Sequence, residues 1–290
     1  MLVALGVAAL VNADSLVERA EREPLGESRD RSLAIWHPVQ DLSHIVQAYR
    51  WRQLGGWAVG GEPDDSSATS ATVAADVPAS PPRPELRPPT GETPLRVWVG
   101  GDSMMRDLGE SFARRAAGIP TLDTTVHVEI STGLTRPDYF DWPAALAADL
   151  EATDAELLVV MFGANDAQGL VLDDGTQVQS VADRAWQAEY ARRVEAVMDQ
   201  LYAEDRLVLW VGQPPMRDRR FSDRMTILNR IFQGAASDRS WVEYVDTTER
   251  FGDDPAGDLR QVDGIHFSRA GADLLADDLL GLIGREVQLE

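Results

Sequence analysis

Residues 94–290 are predicted to form an α/β domain, a three-layer sandwich around a five-stranded parallel sheet. Three observations carry this prediction. Short apolar runs recur at 95–99, 126–130, 157–162, 207–211 and 242–245, most of them continuous, as expected for strands covered on both faces. The stretches between them have helical length, and Trp186, Tyr190, Val194, Val197 and Leu201 recur at the spacing of a helix packed on a sheet. Four of the runs end in conspicuous loops: Gly100-Gly101-Asp102-Ser103, Ser131-Thr132-Gly133, Gly163-Ala164-Asn165-Asp166 and Gly212-Gln213-Pro214-Pro215. Open parallel sheets bind ligands at the carboxyl ends of their strands, so the chemistry is expected on that edge.

The chain opens with an apolar run, residues 2–11, bounded by Asn12 and Asp14. It is too short to cross a hydrocarbon core of about 30 Å as a helix, and it lacks the basic flank of a signal peptide. Three readings stand: the end of a membrane span that continues upstream, a poor signal peptide with Val11-Asn12-Ala13 as its small-residue site, or an amphipathic helix packed on the domain. Residues 15–31 are charged and helix-compatible, and 34–57 suit one or two short helices, so 1–61 reads as an N-terminal region. Residues 62–93 shift to Asp, Ser, Thr, Ala and Pro and end in Pro81-Pro82-Arg83-Pro84 and Pro88-Pro89. Too little apolar surface is present there to offset ordering entropy, and the stretch reads as a tether. Beyond it come the strands, an expected turn at Asp173-Asp174-Gly175 that lacks the remaining ligands of a calcium loop, and a last helix marked by Leu274, Leu275, Leu279, Leu280 and Leu282.

Composition narrows the function. With 290 residues and 44% hydrophobic content, one sizeable core is feasible. A net charge of −21 disfavours electrostatic attraction to nucleic acid or an anionic membrane surface. The absence of cysteine removes disulfides, thiolate metal sites and cysteine nucleophiles. His37, His44, His127 and His266 are scattered without ligand spacing, so neither a metal nor a cofactor is expected, and His127 reads as a buried or edge residue of the second strand.

The remaining signal lies at the two ends of the domain. A serine placed where a strand turns sharply into a helix keeps its hydroxyl exposed and its N–H near a helix N-terminus, which suits a nucleophile. Ser103 occupies such a place. A serine hydroxyl needs a base to take its proton, and a histidine base needs an acid to fix its tautomer. Asp263-Gly264-Ile265-His266 supplies both residue types. An ester carbonyl under attack develops negative charge on oxygen, which calls for donors already in place. The N–H of Ser103, the N–H of Gly133 and the side-chain amide of Asn165 stand in the appropriate loops. Asp102 and Asp166 are read as caps of their local backbone. Arg217, Arg219 and Arg220 could hold an anionic substrate, but a solvated loop is the plainer reading.

Together these blocks resemble the SGNH hydrolases, the GDSL esterase and lipase family. Gly101-Asp102-Ser103 looks like the nucleophile block, Gly133 the glycine block, Gly163-Ala164-Asn165-Asp166 the Gly-x-Asn-Asp block and Asp263-Gly264-Ile265-His266 the Asp-x-x-His block, in family order. Met104 departs from the leucine that usually follows the serine, and the stretch from Trp210 to Arg217 is similar to an actinobacterial subgroup of unknown substrate. The resemblance implies a flavodoxin-like fold, a Ser103 nucleophile, a His266 base oriented by Asp263, and an oxyanion hole from Ser103, Gly133 and Asn165. The implied activity is hydrolysis of short-chain or O-acetyl esters of small molecules or carbohydrates through an acyl-serine intermediate. Two alternatives stand beside it: acyl transfer to a cell-envelope carbohydrate, and a non-catalytic glycan-binding module, against which the intact serine, histidine and aspartate argue. The tether and apolar start suggest a domain secreted or held near a membrane outside the cytoplasm, with a cytoplasmic protein as the alternative.

Overall fold

Burial sorts the apolar runs into the middle and the edges of one sheet. The computed structural model describes residues 81–252 and 257–287, together with Val39. Apart from Val39 these lie in the second of two units, Ser70–Glu290. The expectations for residues 1–61, including His37 and His44, otherwise fall outside the described residues. β1 (Leu95–Gly101), β3 (Leu157–Met161) and β6 (Leu207–Val211) fill the centre, with every residue of β3 and β6 buried. β2 (Leu122–Val128) and β7 (Val242–Val245) form the edges. The strand order is β2-β1-β3-β6-β7, and all four pairings are parallel. The second strand begins at Leu122, ahead of the expected start at residue 126, because an edge strand leaves backbone and one face open and so tolerates Asp123, Thr124 and Thr125. His127 lies on this edge, and its Nδ1 pairs with Asp149 at 2.5 Å.

Right-handed crossovers then decide which face each helix covers. The connection from β1 to β2 steps one way along the sheet, and all later ones step the other way. α1 (Met104–Ala116) therefore lies on one face with the returning α6 (Arg269–Glu286), while α2 (Trp142–Thr153), α3 (Arg184–Gln200) and α4 (Arg219–Ser237) lie on the other. Asp141, Asp183, Asp218 and Ser268 cap α2, α3, α4 and α6 by accepting backbone N–H bonds. The expected helix around Trp186, Tyr190, Val194 and Val197 is α3, with all four side chains buried. A small hairpin, β4 (Leu170–Val171) with β5 (Gln177–Val178), turns at the Asp173-Asp174-Gly175 segment read as a turn. α5 (Thr248–Gly252) is a short helix after β7. No described helix is long and apolar enough to cross a membrane.

Residues 81–93, within the stretch read as a tether, make contacts to this domain. Pro84 is buried, Arg87 holds Glu156 at 2.6 and 2.9 Å, and Ser240 donates to the Pro81 carbonyl at 2.6 Å. Long guanidinium side chains supply the contacts that the apolar content of the segment does not.

Candidate active site

The strand order reverses direction at β1 and β3, which opens a crevice at their carboxyl ends. Gly101 of β1 stands in register with Val128 of β2 and Met161 of β3. Ser103 therefore projects just beyond the sheet, between the loops after β2 and β3. It is the N-cap of α1, with φ −60° and ψ −21°, and is 9% exposed. Its hydroxyl is not spent on capping, because the carboxylate of Asp102 accepts the Met104 N–H at 2.8 Å instead.

The second half of the site comes from the loop before α6. Asp263 Oδ1 accepts the N–H groups of Ile265 and His266 at 2.8 and 3.1 Å, a local turn that aims its other oxygen at the imidazole. Asp263 Oδ2 lies 2.7 Å from His266 Nδ1, and His266 Nε2 lies 2.9 Å from Ser103 Oγ. Burial pushes the Asp263 carboxyl up, but the hydrogen bond and charge of His266, with the two N–H donors, outweigh it and hold the group below the usual carboxylate range. Asp263 is thus an anion facing the imidazole.

The remaining predicted residues converge from β2 and β3. The Asn165 amide donates to the Thr132 carbonyl at 3.1 Å, which leaves its second N–H available. Among the described residues neither the Ser103 nor the Gly133 N–H donates to a protein acceptor. Gly133 is required by a neighbour: a Cβ there would stand 2.3 Å from Asp166 Oδ1. Asp166 itself departs from the expectation of a local cap. Its carboxylate takes the Thr135 N–H at 2.8 Å, the Thr135 hydroxyl at 2.9 Å and the Tyr190 hydroxyl at 2.7 Å. A fully buried carboxylate between two loops and a helix finds its donors in those elements rather than in its own turn. Burial raises the pKa of Asp166, and burial together with the Asp166 charge raises that of Tyr190, so the phenol keeps its proton as the donor. Asp102 caps locally as expected but also accepts the Gly163 N–H at 2.9 Å, and burial pushes its pKa up to about 7.

A family model described as a protein of unknown function, DUF459, matches residues 96–281. The chain belongs to the DUF459 family. No curated protein matches it. Solved structures share the fold of this DUF459 domain. They include a lipase/acylhydrolase from Enterococcus faecalis, at 20% identity and a TM-score of 0.51, covering 66% of this chain and 96% of that one. A candidate SGNH hydrolase from Slackia heliotrinireducens has 21% identity and a TM-score of 0.50, covering 66% and 100%. LAE5, an alpha/beta hydrolase enzyme from the metagenome of Lake Arreo, has 15% identity and a TM-score of 0.51, covering 66% and 95%. The resemblance stated above is borne out for the fold, which is that of the SGNH hydrolases.

Two residues beside the candidate site make contacts that sequence reading missed. Gln261 donates to Asp107 of α1 at 2.9 Å and to the Phe267 carbonyl at 3.1 Å. Arg217 is an exposed loop residue, as expected, but its guanidinium also donates to the carbonyls of Val262 and Gln261 at 2.6 and 3.2 Å. These partners lie 45 and 44 positions away, where no local pattern could reveal them. Among the described residues no group of three or more His, Cys, Asp or Glu could hold a metal.

Proposed function

We propose that the protein is a serine ester hydrolase in which Ser103 is the nucleophile, His266 the general base and then acid, and Asp263 the anion that orients and stabilises the imidazole. The observation that carries this reading is the unbroken run of short contacts from Asp263 Oδ2 to His266 Nδ1 and from His266 Nε2 to Ser103 Oγ. Ser103 Oγ attacks the ester carbonyl carbon while its proton passes to His266 Nε2. The N–H groups of Ser103 and Gly133 and the Asn165 amide receive the developing oxyanion. Collapse returns the proton from Nε2 to the departing alcohol and leaves an acyl-serine. Water, deprotonated by the same nitrogen, then releases the acid and restores the serine. A small-molecule or carbohydrate ester with a short acyl group is the substrate class.

The test is release of nitrophenol from p-nitrophenyl acetate by the wild type and by Ser103→Ala, with circular dichroism as a check on folding. The variant is expected to lose turnover and remain folded. Retention of most of the activity by a folded Ser103→Ala variant would overturn the assignment. A sugar acceptor added to the same assay separates hydrolysis from acyl transfer by the products formed.

A further inference from the structure

The loop bearing Asp263 and His266 has little regular structure of its own. Among the described residues its one ladder contact is the isolated bridge from Arg260 to Phe267. Asp263 and His266 are both part-exposed, so packing alone does not set their places. Yet the proposed chemistry needs the imidazole aligned with Ser103 to within a fraction of an ångström.

We infer that Arg217 is a positioning residue for the reaction, clamping the 261–264 turn so that His266 is presented to Ser103. The inference rests on the reading of His266 as the general base. Three hydrogen bonds carry it. The Arg217 backbone N–H donates to the Gly264 carbonyl at 3.0 Å, Nη1 to the Val262 carbonyl at 2.6 Å and Nη2 to the Gln261 carbonyl at 3.2 Å. A planar guanidinium is suited to this, because its rigid fork reaches two carbonyls at once where an ammonium is a single point. The turn is shaped to receive it. Gly264 has φ +73°, the left-handed region, and a Cβ there would lie 2.5 Å from Arg217 Cβ and 3.2 Å from its Cδ. Asp263 sits between the clamped Val262 and Gly264, so its carboxylate inherits the position of the clamp.

The clamp also accounts for one member of the arginine cluster after β6. Two arms of the Arg217 fork are committed to carbonyls of its own chain, which leaves the side chain poorly placed to hold an anionic substrate. Arg220, on the first turn of α4, is exposed and has no ion pair among the described residues, so it serves as a charge-matched control.

The experiment compares wild type, Arg217→Ala, Arg217→Lys and Arg220→Ala by p-nitrophenyl acetate kinetics and by amide hydrogen exchange across 261–267. Arg217→Ala is expected to lower kcat about ten- to a hundredfold with KM changed less than about twofold, the signature of misplacement rather than lost binding. The amides of Gln261, Gly264, Ile265 and His266, each hydrogen-bonded within the turn, are expected to exchange at least about tenfold faster. Arg217→Lys restores part of both, and Arg220→Ala changes neither. Unchanged exchange in Arg217→Ala overturns the clamp, as does faster exchange with wild-type kcat. A raised KM at constant kcat overturns it in favour of substrate contact. Should the wild type release no nitrophenol, the esterase reading falls, and the exchange rates alone decide whether Arg217 holds the turn.

Discussion

Ser103 stands two residues past a strand that is hydrogen-bonded in register on both sides, whereas His266 stands in a loop whose regular structure, among the described residues, is one bridge. The first is placed by the sheet: moving it means moving β1 against β2 and β3, with Leu95, Val97, Trp98 and Val99 all buried. The second is placed by a few side-chain contacts: Arg217 reaching in from the loop after β6, Gln261 reaching out of the loop to α1, and the guanidinium of Arg260 lying 4.7 Å from the ring centre of Phe267. The two halves of one site therefore answer to different energies. Changes under the serine are expected to act on folding, and changes around the histidine on turnover.

The largest expected effect probes the reaction itself. His266→Ala is predicted to lower kcat by about 10³- to 10⁴-fold, since the proton from Ser103 then has no acceptor in place. Its melting temperature is predicted to stay within about 2 °C of the wild type, because a part-exposed loop residue contributes little to the core. A large fall in melting temperature would show that the loop is part of the folding unit and break the division drawn here.

The sheet-held half is sharpened by pH. Asp102 has its pKa pushed up from 3.8 to about 7, chiefly by burial, with the N–H groups of Met104 and Gly163 pulling the other way. A carboxyl whose pKa is raised on folding contributes stability that is fully present below its unfolded value and is lost as pH rises through the folded value. Asp102→Asn does not titrate, and its amide nitrogen faces one of those N–H donors at every pH. The wild-type advantage over Asp102→Asn is thus predicted to shrink by about 4 kcal/mol between pH 4 and pH 8, measured as urea midpoints. A gap that widens with rising pH would contradict the assignment of a raised pKa.

How much of this was legible depended on sequence distance. The central strands, the α3 stripe and the four loops at the sheet edge are local patterns, and the sheet they predict is the one observed. The apolar run at 126–130 marks only part of the edge strand β2, because Asp123, Thr124 and Thr125 are not apolar and nothing in the sequence says that one side of the strand is open. The short blocks that hold Ser103, Asp263, His266, Gly133 and Asn165 were legible because each carries its own chemistry, and the structure brings the serine, histidine and aspartate into hydrogen-bonding contact. Their supports were not. Asp166 bonds to Thr135 and Tyr190, 31 and 24 positions away, and Tyr190 carries the spacing of a core residue while its hydroxyl serves a buried carboxylate. A tyrosine on an apolar stripe gives no sign of which it is.

Tyr190→Phe measures that hidden support. Loss of one hydrogen bond to a buried carboxyl oxygen, which is left without that donor, is predicted to cost about 2 kcal/mol, or roughly 4–8 °C in melting temperature, with kcat changed less than about threefold. A tenfold fall in kcat at unchanged stability would place Tyr190 with the histidine loop in its behaviour and undo the contrast.

The smallest expected effect joins the two halves. Asp107 lies one turn past Ser103 on α1, and the Gln261 amide bonds to it at 2.9 Å while also reaching the Phe267 carbonyl at 3.1 Å. Gln261 is therefore a brace between the helix that begins at the serine and the loop that carries the imidazole. Gln261→Ala alone is predicted to lower kcat about threefold and leave the melting temperature within about 2 °C, because Arg217 still grips the neighbouring carbonyls. If the two residues restrain one loop from two sides, removing both frees it in a way that neither single change does. The double variant with Arg217→Ala is then predicted to lose more turnover than the product of the two single losses. Losses that simply multiply would mean that each residue acts on its own, and the histidine would owe its place to the bridge at Phe267 rather than to a loop braced from both sides.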